Sequence, residues 1–212
     1  KGHEFAINKL LENASEIVEQ TGESGLKAIG ISCGGPLDSK KGIVQSPPNL
    51  PGWDNIPIVK LFSDRFAVPV YLQNDANACA LAEWKFGAGK GSENMIFLTF
   101  GTGMGGGLII GGRLYAGTND LAGEVGHIRL ADDGPEAYGK KGSFEGFCSG
   151  SGIAIMAKKI AAEKLASGCR ISFCRSFEGI SKITAKDVAD AAFAGDEDAI
   201  SILKESGEYL GR

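Results

Sequence analysis

Phe97–Gly112 reads FLTFGTGMGGGLIIGG, and the reading of this stretch decides the fold. Gly101, Gly103 and Gly106 fit the G-x-G-x-x-G spacing of a dinucleotide-binding turn. That fingerprint needs a helix to begin at the turn and to aim its N-terminus at a pyrophosphate. The residues that follow, Gly107-Leu108-Ile109-Ile110-Gly111-Gly112, are poor helix formers and good strand material. The stretch therefore predicts a hairpin, with strands at Met95–Phe100 and Gly107–Ile110 on either side of a glycine-rich tip. Such a tip can present backbone N–H groups to a phosphate, with the Thr102 hydroxyl as an added donor. A glycine-rich hairpin without a ligand has the same spacing.

Outward from the hairpin, Gly87–Ser92 is a glycine-rich linker that predicts a domain boundary, with residues 1–92 on one side and 93–212 on the other. Before it, Asn74–Phe86 (NDANACALAEWKF) predicts an alanine-rich helix with Asn74 or Asp75 near its N-cap. Val68–Leu72 predicts a strand, with Pro69 marking an edge or a strand start. Ile58, Val59, Phe62 and Phe66 predict a short helix. Gly42–Trp53 (GIVQSPPNLPGW) reads as a proline-rich loop without regular structure. Leu26–Cys33 predicts a buried strand ending in Gly34-Gly35-Pro36. Residues 4–20 place Ile7, Leu10, Leu11, Ala14, Ile17 and Val18 on one helical face, with Gly22 as the exit. Residues 150–167 and 187–210 predict helices, the second broken near Gly195. Strands in hairpins followed by helices indicate an α/β fold, and no internal repeat is visible.

Composition narrows the class. In 212 residues, 22 Lys+Arg against 26 Asp+Glu give a net charge of −4, and no long basic run offers a nucleic-acid surface. Glycine is the outlier, 32 of 212 or about 15% against roughly 7% in ordinary chains. With no collagen period, the excess belongs to tight turns and close backbone approaches. The cysteines, Cys33, Cys79, Cys148, Cys169 and Cys174, are odd in number and scattered. That argues against a disulfide framework and for a reducing, cytoplasmic compartment. No run approaches the ~18 apolar residues that span a bilayer.

Several polar residues stand where chemistry is done. Asp75 opens a helix after a strand, where a carboxylate can accept a proton from a substrate hydroxyl or simply cap the helix. Glu124 and His127, at i and i+3 of a glycine-flanked turn, would face one way and suit a hydroxylated ligand. A surface glutamate and a satisfied core histidine is the plainer reading of that pair. A near P-loop at Gly134, Gly139 and Lys140 fails, because Lys141 stands where the Mg²⁺-binding hydroxyl belongs.

Six segments in order resemble the repressor/ORF/kinase (ROK) family of sugar kinases and sugar-responsive regulators. They are Gly34-Gly35-Pro36-Leu37-Asp38, Pro48-Asn49-Leu50-Pro51-Gly52-Trp53, Asn74-Asp75-Ala76-Asn77, Gly101-Thr102-Gly103-Met104-Gly105, Ala122-Gly123-Glu124-Val125-Gly126-His127 and Gly139-Lys140-Lys141-Gly142-Ser143-Phe144-Glu145. The resemblance implies an actin-like, ribonuclease-H-like ATPase fold of two α/β domains flanking a cleft. It assigns residues 1–92 to the smaller N-terminal domain and 93–212 to the larger one. It makes Asp75 the general base, with Gly35, Asn49, Asn74, Glu124, His127 and Glu145 around the sugar. Gly101, Thr102 and Gly103 would meet the phosphates of ATP, accompanied by Mg²⁺. A sugar's ring of hydroxyls is well matched by carboxylates, amides and an imidazole. Phosphoryl transfer needs mainly positioning and charge stabilisation.

Two departures from the family's pattern shape the expectations. Many members hold a structural zinc with the motif histidine and three cysteines in a C-x-C-G-x-x-G-C-x-E run. The cysteine positions here are Glu136, Tyr138 and Ser143, while Gly139, Gly142 and Glu145 are kept. A Cys₃His site cannot form without thiolates, so no zinc is expected, and Tyr138 with its neighbours is expected to orient His127. The family also opens with a D-x-G-G-T phosphate hairpin and closes with a glycine-rich adenosine segment, and neither is found. The fold is therefore expected to be incomplete at both ends, and these residues alone are expected to be inactive. The expected activity is ATP-dependent phosphorylation of a hexose or amino sugar. The alternative is a sugar-responsive regulator whose DNA-binding domain lies outside this chain. Intact Asp75 and Gly101-Thr102-Gly103 favour catalysis, since a pure sensor needs neither base nor phosphate turn. The partner implied is a small sugar, with no nucleic acid and no membrane from this segment. Dimerisation is common in the family, so a homodimer is carried as an expectation.

Overall fold

The computed structural model describes residues 2–21 and 25–212. Two compact units form, Lys1–Phe97 with Gly107–Gly123, and Leu98–Gly106 with Glu124–Arg212. The chain passes from one to the other within the hairpin that the glycine pattern predicts.

In the first unit, strand β1 (Ile29–Cys33) lies parallel to β4 (Val70–Asn74), paired from Ile29↔Val70 to Cys33↔Asn74. Between them run the short strands β2 (Leu37–Asp38) and β3 (Ile43–Val44) and helix α2 (Ile58–Phe66). The proline-rich stretch thus does contain regular structure, because Leu37 and Val44 pair across a turn and bury their side chains. Pro69 sits just ahead of β4, where its missing N–H costs no ladder bond. β1 is half-buried rather than buried, with Gly30 and Ser32 exposed. Ile7, Leu37, Val44, Ile56, Ile58, Phe62, Val70 and Leu72 make the core. Helix α1 (His3–Thr21) follows the predicted periodicity, yet only Ile7 of its stripe is buried. Leu10 and Ile17 remain 49% and 61% exposed. The expected exit at Gly22 lies outside the described residues.

Helix α3 (Asp75–Phe86) buries Ala76, Asn77 and Ala80. The close approach to Gly107 explains the small residues: a Cβ at position 107 would lie 2.4 Å from the Ala80 Cβ. Strands β5 (Met95–Phe100), β6 (Met104–Ile110) and β7 (Arg113–Leu114) form one sheet in that order. β6 begins three residues earlier than predicted. Gly111 and Gly112, at φ 56° and 68°, make the two-residue turn from β6 to β7, a geometry that favours glycine at both positions.

In the second unit, helices α4 (Phe144–Cys148), α5 (Gly150–Ala166), α6 (Ala185–Phe193) and α7 (Glu197–Leu210) enclose a core that includes Phe147, Met156, Ala157, Val188 and Ile202. The predicted break near Gly195 separates α6 from α7. Gly195 takes φ 90°, and Asp196 caps α7 by accepting from the Ala199 N–H. Strands β8 (Glu136–Ala137) and β9 (Lys140–Lys141) form an antiparallel hairpin that the sequence reading did not anticipate, nor did it anticipate α4. The rejected P-loop residues Gly139 and Lys140 belong to this hairpin. Among the described residues no helix is long and apolar enough to cross a membrane, and all five cysteines are free.

Candidate active site

Cys33 and Asn74 are the last paired residues of β1 and β4, so Gly34-Gly35-Pro36 and Asn74-Asp75 leave the same edge of a parallel pair. The carboxyl ends of parallel strands are where open α/β sheets bind ligands. Which residue caps α3 is decided here. The Asn74 Oδ1 accepts the N–H groups of Ala76 at 3.0 Å and Asn77 at 3.2 Å. Asn74 itself is steadied through its N–H, which donates to Gln73 Oε1 at 2.8 Å. A Cβ at Gly35 would lie 3.5 Å from the Asn74 Nδ2, so the glycine and the cap are neighbours. With Asn74 at the cap, Asp75 becomes the first helical residue, and its carboxylate is exposed. It also accepts from the Ala76 N–H at 2.9 Å. Asn49 lies in the same unit on an exposed turn closed by the Ser46 N–H donating to the Trp53 carbonyl.

The other expected residues belong to the second unit. At the hairpin tip, the Gly101 and Thr102 carbonyls accept the Gly150 N–H at 2.9 Å and the Ser151 N–H at 3.1 Å. The tip is therefore held against the N-terminal turn of α5. Glu145 is buried on α4, and its Oε2 accepts the Met104 N–H at 2.8 Å. A Cβ at Gly103 would lie 2.9 Å from that oxygen, so the carboxylate and the glycine turn interlock. Glu124 and His127 do face one way, with Oε2 and Nε2 3.9 Å apart. The histidine side chain is 51% exposed, which sets aside the core-histidine reading. Its ring stacks on Tyr138, centroids 5.5 Å apart. His127, Tyr138, Lys140, Ser143 and Glu145 line a cavity of about 60 Å³.

Residues 4–212 match the ROK family. The chain belongs to the ROK family. Over 191 residues it is 36% identical to the glucokinase of Halalkalibacterium halodurans, covering 89% of this chain and 56% of that protein. A xylose repressor of Caldicellulosiruptor bescii is 33% identical over 95% of this chain and 49% of its own length. Among solved structures, a ROK hexokinase from Thermus thermophilus aligns at TM-score 0.77 and 30% identity, over 100% of this chain and 64% of that one. A ROK glucokinase from Streptomyces griseus, in complex with glucose and AMPPNP, aligns at TM-score 0.71 and 32% identity, over 99% and 66%. This ROK chain thus has the α/β, actin-like ATPase fold, and it spans about half to two thirds of the length of the proteins it matches.

Within each unit, several expected site residues of the ROK chain come together: Gly35 with Asn74 and Asp75, and Gly103 with Glu145, His127 and Glu124. Sequence reasoning missed Gln73, Lys140 and the hydroxyl role of Ser143, which caps α4 by accepting from the Gly146 N–H at 3.1 Å. A serine ahead of Phe144-Glu145 is a capping signal, but a five-residue helix interrupted by Gly146 gives periodicity nothing to register.

Cys33 reports on Asp75. Partial burial, and after it the negative charge of Asp75, push the Cys33 thiol above its ordinary value. Less thiolate at neutral pH means slow alkylation. We expect iodoacetamide to label the exposed Cys79 and Cys169 first. Asp75→Asn should speed the labelling of Cys33, read by peptide mass spectrometry across pH. An unchanged Cys33 profile in that variant would separate the two groups.

Proposed function

We propose that this ROK chain carries the acceptor-sugar chemistry of an ATP-dependent hexose or amino-sugar kinase. The observation that carries the reading is Asp75, an exposed carboxylate at the end of β4 whose capping duty is met by Asn74. A carboxylate released from capping can take the proton of a sugar hydroxyl as that oxygen attacks the γ-phosphorus of ATP and ADP leaves. Asn49, Asn74, Glu124, His127, Glu145 and the backbone at Gly35 bind the remaining hydroxyls. Gly101, Thr102 and Gly103 meet the phosphates, on a tip that the Gly150 and Ser151 N–H groups of α5 hold in place through the Gly101 and Thr102 carbonyls. Mg²⁺ carried in with the nucleotide would supply neutralisation of charge on the transferring phosphoryl group. The glucose and AMPPNP of the Streptomyces griseus glucokinase complex support this choice of substrates.

The same reading puts the protein in the cytoplasm, where ATP and reduced thiols coexist, and divides its domains near residues 92 and 93. Because xylose repressors are also relatives, the deciding experiment measures ADP release by the full-length protein over glucose, mannose, fructose, N-acetylglucosamine and N-acetylmannosamine. Turnover on one or more of them is expected. No turnover on any, with sugar instead changing affinity for an operator DNA, would replace this reading with the regulator.

A further inference from the structure

We infer that this chain holds its sugar-facing histidine by a metal-free clamp, with the Tyr138 ring as positioning residue for His127 where the family's pattern places zinc. The donor set does not fit the metal. Glu136 is exposed on β8, the Ser143 hydroxyl is committed to capping α4, and the Tyr138 ring lies on the imidazole. Among the described residues no group of three or more His, Cys, Asp or Glu could hold a metal ion.

A structural zinc would tie the His127 segment to residues 136–143, and other bonds make that tie here. The Leu130 and Ala131 N–H groups both donate to the Gly142 carbonyl, at 2.8 and 3.1 Å. Gly142 N–H donates to the Pro135 carbonyl at 3.2 Å, and Phe144 N–H to the Ile128 carbonyl at 2.8 Å. Lys140 Nζ donates to the His127 carbonyl at 2.9 Å. These bonds hold the backbone of His127 and touch no atom of its ring, which otherwise meets the Glu124 carboxylate only at 3.9 Å.

The stack supplies the missing constraint. Tyr138 and Gly139 occupy the two central positions of the β8–β9 turn, both left-handed at φ 50° and 68°. Asparagine or glycine is the usual choice at the first of these, and a bulky aromatic is disfavoured there. The turn alone therefore gives no reason for a tyrosine. Its ring, 5.5 Å from the imidazole and inclined by 25°, does, since that is the offset arrangement aromatic rings prefer.

That His127 binds sugar rests on the proposed function; the clamp itself does not, and the test separates them. His127 is one of two histidines in these 212 residues, and its imidazole proton signals in the full-length protein are assigned as those that vanish in His127→Gln. In full-length protein we expect no stoichiometric zinc by elemental analysis and no loss of thermal stability with EDTA. The His127 ring protons should be shifted upfield by the tyrosine ring in wild type and in Tyr138→Phe, and should return to ordinary positions in Tyr138→Ala. Tyr138→Ala should raise KM for sugar about tenfold or more with a smaller change in kcat, as expected when a binding group is misplaced, and Tyr138→Phe should rescue it. Stoichiometric zinc, or His127 signals in wild type without the upfield shift, overturns the clamp. If Tyr138→Ala does not fold, the wild-type shift and the zinc content still decide. Absence of sugar binding in every variant, wild type included, would sink the proposed function while the ring-current and zinc results stand on their own.

Discussion

Asp75→Asn is expected to cut phosphoryl transfer by roughly 10²–10⁴-fold, the usual worth of a positioned general base. The substitution keeps the size and planarity of the side chain while removing its negative charge and its ability to accept a proton. Stability should stay within about 0.5 kcal/mol of wild type, because the helix cap belongs to the neighbouring Asn74. The loss should appear in kcat rather than KM, since hydrogen bonding to the sugar hydroxyl survives in the amide. Steady-state kinetics on the full-length protein, with a melting curve alongside, checks all three statements. Wild-type kcat in a folded Asp75→Asn protein would remove Asp75 from the mechanism.

The second large effect is structural. Gly142→Ala should cost about 3 kcal/mol or more, because two penalties coincide. The backbone is left-handed at φ 67°, and the added Cβ would sit 2.1 Å from the Ala131 carbonyl oxygen and 3.1 Å from that of Asp133. Both obstacles are main chain, so no side-chain rotation relieves them. Gly142 also donates to Pro135 and accepts from Leu130 and Ala131, which makes it the hub through which the His127 segment meets β9 and α4. Sugar affinity should therefore fall along with the denaturant midpoint. Gly139→Ala is the control. Its φ is 68°, yet nothing lies within 4 Å of the added carbon, so only the backbone penalty, about 1–2 kcal/mol, applies. Equal losses in the two variants would show that the contact with Ala131 and Asp133 contributes nothing.

Helix α1 shows the limit of reading burial from a pattern. Periodicity identified the face that carries Ile7, Leu10 and Ile17, but only Ile7 is buried, since only part of that face meets the core of its unit. Burial depends on what the rest of the chain brings to a face, and the pattern holds no record of that.

The α5 helix, the α6–α7 break at Gly195, the β5–β6 hairpin and the placement of Asp75 between a strand and a helix were all legible in the amino-acid order. Each is set by neighbours a few residues apart, through helical or strand periodicity, capping chemistry and the refusal of glycine-rich sequence to start a helix. Tertiary structure alone decided that Asn74 and not Asp75 caps α3, that Glu145 reaches back to Met104, and that Tyr138 lies on His127. The Glu145–Met104 bond joins residues 41 apart, and nothing in either local sequence announces it. The cap was open because Asn and Asp are nearly equal as N-caps. Only the backbone angles at the strand's end, fixed by pairing with β1, made one of them the cap and left the other an exposed carboxylate in the first turn of the helix.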